Sequence, residues 1–126
     1  MNRVEIDPVW LMHVQKPARY VGGEWNSVMK NHADVDVKVA LAFPDVYEVG
    51  MSHLGLKIIY SVINSRKDAL AERVYTPWVD MEKMMRERNI PLYALESKAP
   101  IKDFDVLGLT MPYEMCYTNI LNMIDL

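Results

Sequence analysis

A chain of 126 residues with 14 Lys+Arg against 17 Asp+Glu carries a formal net charge of −3, and 51% of it is hydrophobic; that is one domain with a real core. A mildly acidic chain without a basic run lacks the electrostatic footprint of a nucleic-acid binder, and the lone Cys116 excludes an internal disulfide or a cluster needing several thiolates from this chain. No apolar stretch approaches the roughly 18 residues of a membrane span, and Met1–Glu5 has no signal-peptide hydrophobic region, so a cytoplasmic domain without nucleic-acid or membrane partners is expected.

Composition shifts near residue 35, separating an N-terminal extension (1–35) from a main domain (36–126). In the extension Asp7 can cap and Pro8 suits a first helical position, so a turn or two of helix is predicted over Val9, Leu11, Met12 and Val14. Pro17–Ser27 is a glycine-bearing loop whose Tyr20 and Trp25 are expected to pin it to the domain. Residues 37–43 are nearly all apolar and halted by Pro44, which predicts a strand buried on both faces. After a long loop, Ser52 is placed as the cap of a helix with Leu56, Ile59, Tyr60 and Ile63 inward and Ile58 and Val62 widening that face. A second strand is predicted at 72–76. Thr76-Pro77 opens a helix whose Met81, Met84 and Met85 read as core packing, ended by Asn89-Ile90-Pro91. Leu92–Leu95 reads as a short extra strand and 105–111 as a third buried strand, stopped by Pro112. The last segment, from Glu114, predicts a helix with Tyr117, Ile120, Leu121 and Ile124 on its inner face.

Strands alternating with amphipathic helices predict an α/β, three-layer, Rossmann-like fold of the flavodoxin or cobalamin-binding type, with parallel strands in the order 2-1-3. Such a sheet normally has further strands, so the expectation is a truncated domain of a longer protein. The bare edge of the third strand then predicts dimers of the fragment.

In an open α/β sheet the ligand crevice lies beyond the strand C-termini where strand order reverses, here between the first and third strands. The candidate residues are Pro44, Asp45, Tyr47, Glu48, Gly50, Ser52, His53 and Gly55 after the first strand, and Thr110, Pro112 and Tyr113 after the third. Neither G-x-G-x-x-G nor the P-loop pattern is present, which removes the warrant for a dinucleotide or a phosphorylated ligand of a flavodoxin-like module. Gly50–Gly55 is one residue too long for the hydrolase elbow, so Ser52 reads as a cap. Asp45 and Glu48 stand as solvent-facing acids or an acid–base pair. His53 stands as a structural or substrate-contacting imidazole, with no second histidine close by to make a metal site.

Four separated segments, Val14–Glu24, Ala42–Gly55, Leu70–Val74 and Tyr117–Met123, together resemble the N-terminal, cobalamin-binding-like domain of a family of radical SAM proteins. The resemblance implies a parent that cleaves S-adenosylmethionine reductively with a 4Fe-4S cluster held by C-x-x-x-C-x-x-C. Cys116 is alone, so cluster and S-adenosylmethionine would belong to a downstream radical SAM domain of the same chain, its implied partner. The role implied here is to hold a cobalamin, or a substrate, against that site through the 44–55 and 110–114 loops. Corrinoid domains that supply an axial histidine use D-x-H-x-x-G; here Asp45 lies eight residues before His53 and Gly55 two after it, so the resemblance implies cobalamin without that ligand. The alternative is a non-catalytic scaffold or interaction domain that keeps the fold and has lost cofactor binding.

Overall fold

The computed structural model describes residues 3–126. Strand β1 (Val37–Phe43) lies between β2 (Ala69–Tyr75) and β3 (Val106–Leu109), all parallel, in the order β2-β1-β3. Its register runs from Val37 opposite Ala69 to Phe43 opposite Tyr75, and from Val39 opposite Val106 to Ala42 opposite Leu109. Helices α4 (Leu54–Asn64), α5 (Val79–Arg88) and α6 (Tyr117–Asp125) connect or follow the strands, and three single-turn helices, α1 (Pro8–Leu11), α2 (Ala18–Val21) and α3 (Tyr47–Gly50), lie outside this frame.

The pleat sorts the core into two layers. Leu41, Phe43, Ala71 and Tyr75 meet Leu56 and Tyr60 of α4 on one face. Ala40, Ala42 and Val74 meet Met81 and Met85 of α5 and Met123 of α6 on the other. Alanine on the β1 side leaves room for the long methionines; each is 1% exposed, and burying such a side chain contributes about 1.5–3 kcal/mol. Helix α5 ends as its sequence predicts, with Asn89 in the left-handed conformation at φ 53°. Asp7 caps α1 through a 2.9 Å bond from the Val9 N–H, with Pro8 behind it.

Several local expectations are corrected. Strand β2 starts at Ala69 rather than 72, because Ala69–Ala71 pair along β1 although they lack a strand-forming composition. Strand β3 is shorter than 105–111 and is not buried on both faces, since Val106 and Leu107 are exposed. Residues 92–95 form no strand: Tyr93 makes one antiparallel bridge to Pro100, and the Ala94 and Leu95 N–H groups go to Ala99 and Arg73 carbonyls. Helix α6 buries Ile120 and Met123, while Tyr117, Leu121 and Ile124 face outward. Helix α4 buries Leu56 and Tyr60 and leaves Ile58, Ile59 and Val62 exposed. One sheet face covers only one side of a helix, so a wide apolar stripe is only partly used.

The N-terminal extension is stitched to the sheet. Val14 and Tyr20 enter the α5 layer, Tyr20 Oη accepts the Trp78 N–H at 3.1 Å, and the Gln15 N–H donates to Asp80 at 2.6 Å. Trp25 does not pin its loop as expected; it is 98% exposed.

Candidate functional site

The crevice between β1 and β3 is spanned by hydrogen bonds from one side to the other. Tyr113 Oη donates to Asp45 at 3.1 Å, and the Asn119 amide donates to the Pro44 carbonyl at 2.9 Å. The other Asp45 oxygen accepts the Val46 N–H at 2.7 Å, and the Thr110 N–H continues the β3 pairing to Ala42 at 3.2 Å. Pro112 is exposed beside them. Hydrogen bonding with Cys116 and donation to the Asp45 carboxylate push the Tyr113 hydroxyl up to about 12. These residues hold one loop to the next.

The second half of the loop after β1 turns away from that crevice. Glu48 points to the N-terminal extension, where Lys16 and Arg19 bond it at 2.9 and 2.8 Å. Those bonds, Arg19 foremost, hold its carboxyl down to about 2. Ser52 is not the cap of α4; its hydroxyl donates to the Val49 carbonyl at 3.3 Å. His53 is the cap, with Nδ1 accepting the Leu56 N–H at 3.1 Å. A cobalt ligand needs a free ring-nitrogen lone pair. Accepting through Nδ1 leaves the neutral ring's proton on Nε2, so the capped His53 offers none. Gly55 sits in the first turn beside this ring, where a Cβ would approach His53 Cε1 to 3.1 Å.

A cleft of about 450 Å³ opens instead on the α4 side of the sheet. Of the eleven residues expected at the site, it gathers only Tyr47 and Gly50. Gly50 packs so closely that a Cβ would stand 2.6 Å from Tyr75 and 2.8 Å from Phe43. Met51 of the same loop joins Tyr47 and Gly50, and the other walls come from elsewhere: Leu56, Lys57 and Tyr60 from α4, Arg73 and Tyr75 from β2, and Glu24, Trp25 and Asn26 from the N-terminal loop.

Arg73 is the centre of the charge arrangement. Its Nε bonds Glu96 at 2.6 Å, its backbone N–H bonds the other Glu96 oxygen at 2.8 Å, and its Nη2 donates to Glu24. Tyr47 donates to the second Glu24 oxygen, and the Tyr60 ring lies 5.3 Å from the guanidinium. Burial alone would raise the Glu24 carboxyl, but bonds from Arg73 and Tyr47 outweigh it and hold Glu24 below its ordinary value. Burial, strengthened by the Glu24 bond, pushes the Tyr47 hydroxyl up to about 12; burial likewise takes Tyr60 and Tyr75 to about 12. The tyrosines are therefore neutral donors over the whole physiological range. Burial also raises the Glu96 carboxyl despite Arg73.

Sequence reasoning missed Glu24, Arg73 and Glu96 for one reason: they lie far apart in the chain and meet through the fold. An arginine inside a predicted strand of a parallel sheet was the available signal, because such strands are buried and a buried guanidinium demands carboxylate partners. Among the described residues no group of three or more His, Cys, Asp or Glu side chains is placed to hold a metal. Among the same residues no helix is long and apolar enough to cross a membrane.

Residues 55–126, more than half of the chain, match a family model described as the N-terminal region of radical SAM proteins. No curated protein and no solved structure matches the chain.

Proposed function

Because the chain belongs to the radical SAM N-terminal family, we propose that it is the ligand-holding module of a radical SAM protein, presenting a substrate or a corrinoid to a cluster-bearing domain of the same protein. The observation that carries this reading is the cleft, about 450 Å³ with an aromatic wall and a few convergent polar groups, a size and lining that suit a small organic molecule. A corrinoid with its nucleotide tail is larger than this space. Substrate is therefore the occupant the geometry favours. The cluster domain would supply reductive cleavage of S-adenosylmethionine. The residues of this chain would bind and orient: Tyr60 and Tyr75 form the apolar wall, Tyr47 donates a hydrogen bond, and exposed Lys57 offers a charge at the rim.

Two measurements on the intact protein test this. Incubated with hydroxocobalamin and desalted, the protein is expected to emerge without corrinoid absorbance; one corrinoid retained per chain would make the corrinoid the occupant. A small-molecule cell extract is expected to stimulate S-adenosylmethionine cleavage, with Lys57→Ala and Trp25→Ala losing the stimulation and keeping the unstimulated rate. Stimulation unaffected by both substitutions would favour the scaffold reading. The exposed apolar outer faces of α4 and α6, with Ile58, Ile59, Leu121 and Ile124, speak for that second reading.

A further inference from the structure

The Arg73 guanidinium has one carboxylate more than its charge needs. Glu96 already pairs with it through Nε, and that carboxylate's side chain is 0% exposed. A buried guanidinium requires one counter-charge. Glu24 is a second, brought in by a loop from a distant part of the chain. Its two oxygens take the two donors that point into the cleft, Arg73 Nη2 and Tyr47 Oη. Lys57, exposed at the same cleft and in no ion pair among the described residues, adds its field to hold Glu24 ionised. Without the Glu24 side chain, Arg73 Nη2 and the Tyr47 hydroxyl would face one empty point at the cleft that Lys57 also lines, an arrangement that suits a carboxylate.

The segment carrying Glu24 is a short closed turn tied at both ends. It begins at Gly22 and Gly23, at φ 68° and 80°; Gly22 is packed, since a Cβ there would stand 2.5 Å from the Leu95 carbonyl oxygen, whereas a Cβ at Gly23 would meet nothing within 4 Å. Its own turn is closed by the Ser27 N–H and hydroxyl on the Glu24 carbonyl at 3.0 and 2.7 Å. Its far end is tied where the Val28 N–H donates to Tyr60 Oη at 2.7 Å. Between these ends Trp25 stands 98% exposed at the mouth of the cleft. An indole left in water forgoes a large apolar burial, and a flat ligand in the cleft would return it.

We propose that the cleft takes a carboxylate bearing a flat or apolar body, and that Glu24 occupies its carboxylate position, on Arg73 and Tyr47, until the ligand displaces it. Displacement exchanges one carboxylate for another, so Arg73 keeps its charge balance throughout. Trp25 then closes over the body of the ligand as the 23–27 strap turns about Gly23, with Gly22 held against Leu95. This rests on the reading of the cleft as a ligand site and adds the chemical class.

The test uses the intact protein and three probes of similar shape: benzoate, benzamide and benzylamine. Glu24→Gln keeps the side-chain size and removes the competing charge. Removing an internal competitor lowers the apparent dissociation constant by the fraction it had occluded, so calorimetry is expected to show benzoate binding about tenfold or more tighter to Glu24→Gln than to wild type. In the wild-type protein saturating benzoate is expected to change amide exchange over 23–27, a readout independent of how the variant folds. Unchanged benzoate affinity in a folded variant, or unchanged exchange in the wild type, overturns the proposal. Benzamide or benzylamine binding in place of benzoate overturns the carboxylate class and leaves the cleft as a ligand site. Binding of none of the three takes down that underlying reading as well.

Discussion

The crevice between β1 and β3 and the cleft beside β2 are both built from the loop that follows β1, yet they end up chemically opposite. In the crevice, polar groups are spent on one another: Asp45 takes Tyr113, and the Pro44 carbonyl takes Asn119. In the cleft, aromatic surface remains open, and a charged cluster with a surplus carboxylate sits at its edge. A topological switch point says where a sheet can leave a gap. Whether the gap stays open depends on which side chains reach across it.

The largest expected effect comes from breaking the cleft's charge centre. Arg73→Ala strands the buried Glu96 carboxylate, and loss of one partner of a buried pair costs about 3–5 kcal/mol; urea unfolding of the intact protein checks it. A loss below about 1 kcal/mol would mean the pair is solvated, as a surface pair is. Next is Gly50→Ala, whose Cβ would lie 2.6 Å from the Tyr75 ring. Overpacking of this kind costs about 1–3 kcal/mol, and the displaced rings would narrow the cleft without touching the crevice.

The His53 substitutions separate a structural role from a ligand role. His53→Ala removes the cap of α4 and is expected to cost about 0.5–2 kcal/mol, with His53→Asp restoring most of it. Failure of aspartate to restore stability would mean the imidazole matters for more than the cap. The smallest effect is the acid response of Glu48. Its carboxyl falls from 4.5 to about 2 on folding, chiefly through the Arg19 bond, so its contribution is full above 4.5 and is lost as pH falls through about 2. Glu48 is largely exposed, so solvent screens that contribution. A carboxyl-carbon titration by NMR reads the midpoint directly; a midpoint at the ordinary value would detach the N-terminal extension from this loop.

The parts of the fold legible in the sequence were those set by short-range pattern. Apolar residues stopped by proline marked β1, the spacing of Met81 and Met85 marked the inner face of α5, and Asp7-Pro8 marked α1. Alternation and crossover handedness gave the parallel sheet, and analogy with doubly wound folds gave the order 2-1-3. Failures came where several local solutions were equal. His53 and Ser52 can both cap a helix, and only the chain path chose His53. Tyr20 and Trp25 are both bulky aromatics in one loop, and only packing decided that one is buried while the other lies in water.

By itself, then, the sequence determined the strand–helix alternation and the parallel sheet, and it carried the family resemblance that the family model supports over residues 55–126. Those properties depend on periodicity and on chain connectivity, which are written locally. The tertiary structure alone decided where the site is. Glu24 and Arg73 lie far apart in the chain, and Glu72 is buried only because His32 at 2.6 Å and Ser97 at 2.6 Å supply its partners. A buried charge is tolerated only beside its counter-charge and donors, and no local pattern states which distant residue will arrive to provide them.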